Sequence, residues 1–70
     1  MGKGNNTKRK KIVRNRAQCL KCMDIIESVH RHDFVGCSCG TIYVDGGKDY
    51  LRRLGKFKYL KELSEYEDDL

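Results

Sequence analysis

Two tight cysteine pairs, Cys19-Leu20-Lys21-Cys22 and Cys37-Ser38-Cys39, lie fourteen residues apart in a chain of 70 residues. Four thiolates carried on two short turns make a tetrahedral donor set of the kind structural zinc takes. A domain of this size buries too little apolar surface to hold itself together by packing alone, and normally needs a disulfide, a metal or a partner. This chain is poor in core material: its hydrophobic fraction of 39% includes the cysteines, and it has no tryptophan. A structural metal supplies what is missing, since a zinc site in a small domain contributes roughly 10–16 kcal/mol of apparent folding energy.

Four cysteines can also serve other chemistry. Two disulfides imply an oxidising compartment, but residues 1–30 hold no apolar run long enough for an export signal, and no stretch is long enough to span a bilayer. The expectation is therefore a soluble, cytoplasmic protein. A redox role for Cys19-x-x-Cys22 expects a βαβ context that the pattern lacks. Zinc versus iron stays open, because spacing alone does not separate them. So does replacement of one cysteine by His30 or His32, which flank Arg31 in a polar turn. With four thiolates on one ion there is no open coordination position for water, so the site is expected to be structural and the chain not an enzyme, with no small-molecule substrate.

The patterning predicts a small, metal-stabilised, β-rich domain of zinc-ribbon type, two antiparallel hairpins with one short helix. Residues 12–18 alternate loosely with no wholly apolar face, which suits an edge strand. Ile25, Ile26 and Val29 favour a strand leaving the first cysteine turn, Phe34 and Val35 return the chain to Cys37, and Thr41-Ile42-Tyr43-Val44 leaves the second turn. Gly40, directly after Cys39, lets that turn close over a sulfur, whereas Met23 stands where the first turn would use a glycine. Asp45-Gly46-Gly47 breaks the chain. Residues 49–54 read as one to two helical turns ended by Gly55. Residues 56–64 satisfy a strand pattern and a helical pattern equally. The expected organisation is a disordered basic arm over 1–11, the domain over 12–63 and an acidic tail over 64–70.

Charge is divided along the chain. The first 21 residues hold eight Lys or Arg and no acid, while residues 62–70 hold five acids and no base. Four thiolates around a divalent ion carry a net −2 and bring the chain from +5 to about +3, with the excess at the front. Such a front suits an anionic partner. Lys8, Arg9, Lys10, Lys11, Arg14, Arg16, Arg52 and Arg53 are the candidate contacts to nucleic acid or to a nucleic-acid-processing protein. The aromatics Phe34, Tyr43, Tyr50, Phe57 and Tyr59 suit single-strand stacking, against the competing need for them in the core.

The segments Arg14-Asn15-Arg16-Ala17-Gln18-Cys19-Leu20-Lys21-Cys22, His32-Asp33-Phe34-Val35, Cys37-Ser38-Cys39-Gly40 and Val44-Asp45-Gly46-Gly47-Lys48-Asp49-Tyr50-Leu51-Arg52-Arg53 together resemble a family of short, uncharacterised zinc-ribbon-like proteins of bacteria and their phages. The similarity runs from Ile12 to Gly55. It implies a small metal-binding accessory protein without an established activity, and a phage setting implies an inhibitor or adaptor that binds a host enzyme or defence protein. Two functional classes follow: a module that engages nucleic acid directly, and one that binds a protein.

Overall fold

A computed structural model describes residues 9–69 of the chain. Seven strands form two antiparallel sheets: β1 (Arg9–Cys19), β2 (Ile25–Ser28), β3 (Val35–Gly36), β4 (Ile42–Asp45), β5 (Arg52–Gly55), β6 (Leu60–Glu62) and β7 (Glu65–Asp69), with a single 3-10 turn at Phe57–Tyr59. The first sheet is built on β1, with β2 along one side and β6 and β7 along the other; the second has the order β3-β4-β5. Among the described residues no helix is long and apolar enough to cross a membrane.

The sheets meet through a small core of Ala17, Cys19, Ile26, Cys37, Ile42 and Val44, with Cys22, Val35 and Leu60 packed against it. Alternation along β1 selects its share: Asn15, Ala17 and Cys19 face inward and are fully buried, while Arg14, Arg16 and Gln18 stand on the other face. Ile42 and Val44 do the same for β4. The two inner faces are thus assembled from alternate residues of β1, which enters the first cysteine turn, and β4, which leaves the second.

Four sequence expectations are corrected. Strand β1 is central, not an edge: the side opposite β2 is taken by the C-terminal segment, with Ala17 opposite Glu62 and Arg14 opposite Glu65 in one continuing register. Loose alternation misled because Asn15, a polar residue, is an inward position. Second, the basic arm was expected to run unstructured to residue 11, but β1 begins at Arg9, and Lys11 pairs with Glu67. The rest of that arm lies outside the described residues. Third, the acidic stretch from Glu65 is strand β7, not a solvated tail. Fourth, residues 49–54 form no helix. The carbonyl of Gly46 accepts from the N–H groups of Asp49 and Tyr50, giving one turn, and residues 52–55 then join β4 as β5. For residues 56–64 both local patterns were present in the sequence, and the chain uses both, a 3-10 turn followed by β6.

A buried polar network fixes β1 to the turn after β4. The Asn15 amide nitrogen donates to the carbonyls of Asp45, Gly47 and Tyr50 at 2.9, 2.8 and 3.1 Å, and its Oδ1 accepts from Arg53 Nη1 at 2.8 Å. Ser28 Oγ donates to the Asp33 carbonyl at 2.6 Å and accepts from Gly47 N–H at 2.9 Å. Gly47 has φ +56°, and a Cβ there would run into the His30 carbonyl, so no other residue fits between the two sheets at that point. Arg53 then grips Glu62 through Nε at 2.8 Å and Nη2 at 2.6 Å, tying β5 to β6.

Two predictions follow from this network. Replacing Asn15 by Ala strands the buried Asp45 and Gly47 carbonyls and removes an acceptor from Arg53; the expected loss is roughly 2–4 kcal/mol, read from the urea midpoint of the metal-loaded protein. At Glu62 burial opposes the charged form, but the Arg53 and Ser64 hydrogen bonds outweigh it and hold the carboxyl below its ordinary value of 4.5. A depressed folded-state pKa means that this contribution is complete above the unfolded value and is lost as pH falls through the folded one. Glu62→Gln is expected to cost at most about 1 kcal/mol at neutral pH, because the Glu62 side chain is 44% exposed and its charge is screened by solvent, and to flatten the loss of stability below about pH 4.5.

Candidate metal centre

The two cysteine turns face each other at one end of the sheet pair. Cys19 closes β1 and Cys22 lies in the turn into β2, while Cys37 and Cys39 lie in the β3–β4 turn. One sulfur from each of the four comes within 4.8 Å of all the others. Cys19 Sγ to Cys39 Sγ and Cys37 Sγ to Cys39 Sγ are each 3.7 Å. Four sulfurs each about 2.3 Å from a central zinc would stand about 3.8 Å apart, so the spacing fits a tetrahedral ion and is far too wide for a disulfide. All four cysteines are free.

Backbone N–H groups turn toward the sulfurs, as thiolate ligands require. Lys21 and Cys22 N–H donate to Cys19 Sγ at 3.4 Å each, and Ile42 N–H donates to Cys37 Sγ at 3.4 Å. The Thr41 hydroxyl lies 2.9 Å from Cys39 Sγ. These partners separate the thiols electrostatically. Burial pushes the Cys19 thiol up, whereas the Thr41 hydroxyl holds Cys39 down to about 6. At Cys37 burial raises the thiol, but the Ile42 N–H and the neighbouring Cys19 bring it below its ordinary value. A divalent ion favours the charged form at all four.

Each turn closes with a left-handed residue immediately after its second cysteine, Met23 at φ 67° and Gly40 at φ 72°. The N–H of each bonds back to the first cysteine of its pair, Met23 to Cys19 O at 2.7 Å and Gly40 to Cys37 O at 3.0 Å. The turns therefore close in the same way although their spacers differ by one residue. Asp24 joins them: its carboxylate accepts from the Ser38 backbone N–H at 2.7 Å and from the Ser38 hydroxyl, and these bonds hold its pKa below the ordinary range. Asp24, Thr41 and Ser38 were not singled out from sequence; their proximity to cysteines was the only available signal. His30 and His32 are exposed in the β2–β3 connection, and the ligand group consists of cysteines alone.

The basic candidates do not converge on one place. Lys8 lies outside the described residues. Arg9 and Lys10 stand opposite Asp69 and Asp68 in the β1–β7 register. Lys11 pairs with Glu67 at 4.0 Å, Arg14 with Glu27 at 3.6 Å, Arg16 with Glu65 at 2.6 Å, Arg52 with Asp45 at 3.9 Å and Arg53 with Glu62 at 2.6 Å. The charge division along the sequence is thus partly closed within the fold, the acidic end lying on the basic one.

Together the fold and the sulfurs define a small β-rich protein whose two sheets meet at a four-cysteine cluster suited to a metal ion. Residues 11–55 match the domain of unknown function DUF7695, and the chain belongs to that family. No curated protein and no solved structure matches it. Strands β6 and β7, which complete the β1 sheet, follow the matched segment.

The left-handed positions give a prediction with opposite signs. Met23 is exposed, so Met23→Gly sacrifices no packing and relieves a strained φ; set against the greater freedom of glycine in the unfolded chain, the expected gain is about 0.5 kcal/mol. Gly40→Ala creates the same strain and is expected to cost about 1 kcal/mol. Urea denaturation of the metal-loaded variants measures both.

Proposed function

We propose that this chain is a zinc-dependent, non-enzymatic binding module. One structural Zn2+ is held by Cys19, Cys22, Cys37 and Cys39, and the surface it rigidifies engages nucleic acid or a nucleic-acid-handling complex. The observation that carries this reading is the mutual approach of four sulfurs within 4.8 Å. Four soft thiolates in tetrahedral array select zinc or iron over harder cations such as magnesium and calcium, and a complete thiolate shell leaves no position for a reacting water. A reducing compartment such as the cytoplasm keeps these thiols available to the metal. The nucleic-acid side of the reading is supported by the formal charge of +5 and by lysines that form no ion pair among the described residues.

A second reading, a protein-binding adaptor or inhibitor of the kind found in phages, is favoured by a different observation. Ile25, the first residue of edge strand β2, and Val29, just past its end, are 59% and 50% exposed, with Met23 and Phe34 similarly open. A partner recovered at equal stoichiometry from a nuclease-treated lysate selects this reading; a partner lost on nuclease treatment selects the first.

For the metal, elemental analysis of protein purified under reducing conditions is expected to give one zinc per chain, and chelation is expected to unfold it cooperatively. Iron with visible thiolate charge-transfer bands replaces the zinc assignment, and four titratable thiols with no metal overturns it.

A further inference from the structure

Ion pairing sorts the cations into two sets. All five arginines whose side chains are described, Arg14, Arg16, Arg31, Arg52 and Arg53, stand within 4.0 Å of a carboxylate, as does Lys11. Among the described residues Lys21, Lys48, Lys56, Lys58 and Lys61 form no ion pair, and four of these five belong to one region. Lys21 sits in the first cysteine turn. Lys56, Lys58 and Lys61 belong to the run Lys56-Phe57-Lys58-Tyr59-Leu60-Lys61, which the fold lays against that turn: Leu20 N–H donates to Tyr59 O at 2.7 Å, and Cys19 and Gln18 stand opposite Leu60 and Lys61.

Aromatic rings lie among these charges. Lys58 Nζ is 5.1 Å and Lys21 Nζ 5.8 Å from the centre of the Tyr59 ring, so one residue from each segment converges on it. Phe57 is 63% exposed, on the 3-10 turn between two free lysines. Leu60 is the residue of the run that packs toward the core. A phenylalanine this exposed contributes little to stability, and its chain neighbours Lys56 and Lys58 are both exposed and form no ion pair, so the turn is not an ordinary apolar contact.

We infer that Lys21, Lys56, Phe57, Lys58, Tyr59 and Lys61 form a contact surface for single-stranded nucleic acid, with the lysines on phosphates and Phe57 stacked on a base. The inference rests on the nucleic-acid reading above and moves its contacts away from the arginines and the basic front. Single strands are the fitting partner because a ring standing on a turn needs an open base face, which a duplex hides within its stack. Zinc enters indirectly, by shaping the turn that brings Lys21 to Tyr59.

The test uses the full zinc-loaded chain with fluorescent oligo-dT and oligo-rU, a duplex of equal length, and anionic phospholipid vesicles, titrated across a range of salt. Four phosphate contacts give a slope of log K against log salt of about −2.8 on a single strand. Phe57→Ala is expected to weaken single-strand binding about tenfold or more with little change of slope. The double variant Lys58→Gln, Lys61→Gln is expected to bring the slope to about −1.4. Zinc content and melting temperature, read alongside, are expected to match the parent, since all three side chains are exposed. Absence of single-strand binding at low salt, preference for the duplex with Phe57→Ala unchanged, or binding to vesicles alone overturns the inference. If Lys8→Gln, Arg9→Gln, Lys10→Gln abolishes binding while Phe57→Ala does not, this surface is wrong and the broader nucleic-acid reading survives. Failure of the zinc measurement strikes the module itself and is scored separately.

Discussion

The approach of four sulfurs at one end of two sheets is the constraint on which this structure depends. Cys19 and Cys22 belong to the β1–β2 turn, Cys37 and Cys39 to the β3–β4 turn, and the apolar contact between the sheets consists of a handful of side chains. Such a core does not offset the entropy of ordering a chain of this length. A metal ion would join the turns across the intervening loop and place the inner faces of β1 and β4 together. The sulfurs do more than ligate, because Cys19 and Cys37 are themselves core residues, packed with Ala17, Ile26, Ile42 and Val44.

Away from the cysteine turns the sheets are fastened by a different kind of interaction. Asn15 reaches across to three carbonyls and an arginine, and Ser28 meets Gly47 from the neighbouring strand. Buried hydrogen bonds of this sort demand one register, because each unpaired group costs about 1–3 kcal/mol. The cysteine cluster brings the sheets together, and the Asn15 network specifies how they sit. Arg53 extends that specification to β6 through its paired contacts with Glu62.

Charge is where the tertiary structure changes the functional argument most. A basic front and an acidic end, read along the chain, suggest an anion-binding arm and a solvated tail. Folding lays β7 along β1, so the two ends pair, and β5 directs Arg52 and Arg53 onto Asp45 and Glu62. Among the described residues the cations left without an ion pair are Lys48 and a group, Lys21, Lys56, Lys58 and Lys61, on the cysteine turn and the segment laid against it. Position relative to carboxylates, not abundance of cations, decides where an anionic ligand finds the strongest field.

Much of this was legible in the residues themselves. The cysteine pairs dictated a four-thiol junction, the β-branched residues at 25, 26, 42 and 44 dictated strands beside it, and Gly46-Gly47 dictated a break. These are local signals, carried by spacing, branching and freedom of φ over a few residues. Only the tertiary structure decided that Asn15 is an interior anchor, that residues 52–55 form a strand, that Glu65–Asp69 closes the sheet, and which lysines stay free. Asn15 bonds partners 30 to 38 residues away, and Arg16 pairs 49 residues along the chain. Such choices depend on which surfaces the cysteine junction brings face to face. A short-range pattern therefore defined the frame, and long-range hydrogen bonding and charge pairing within that frame decided which side chains are left for a partner.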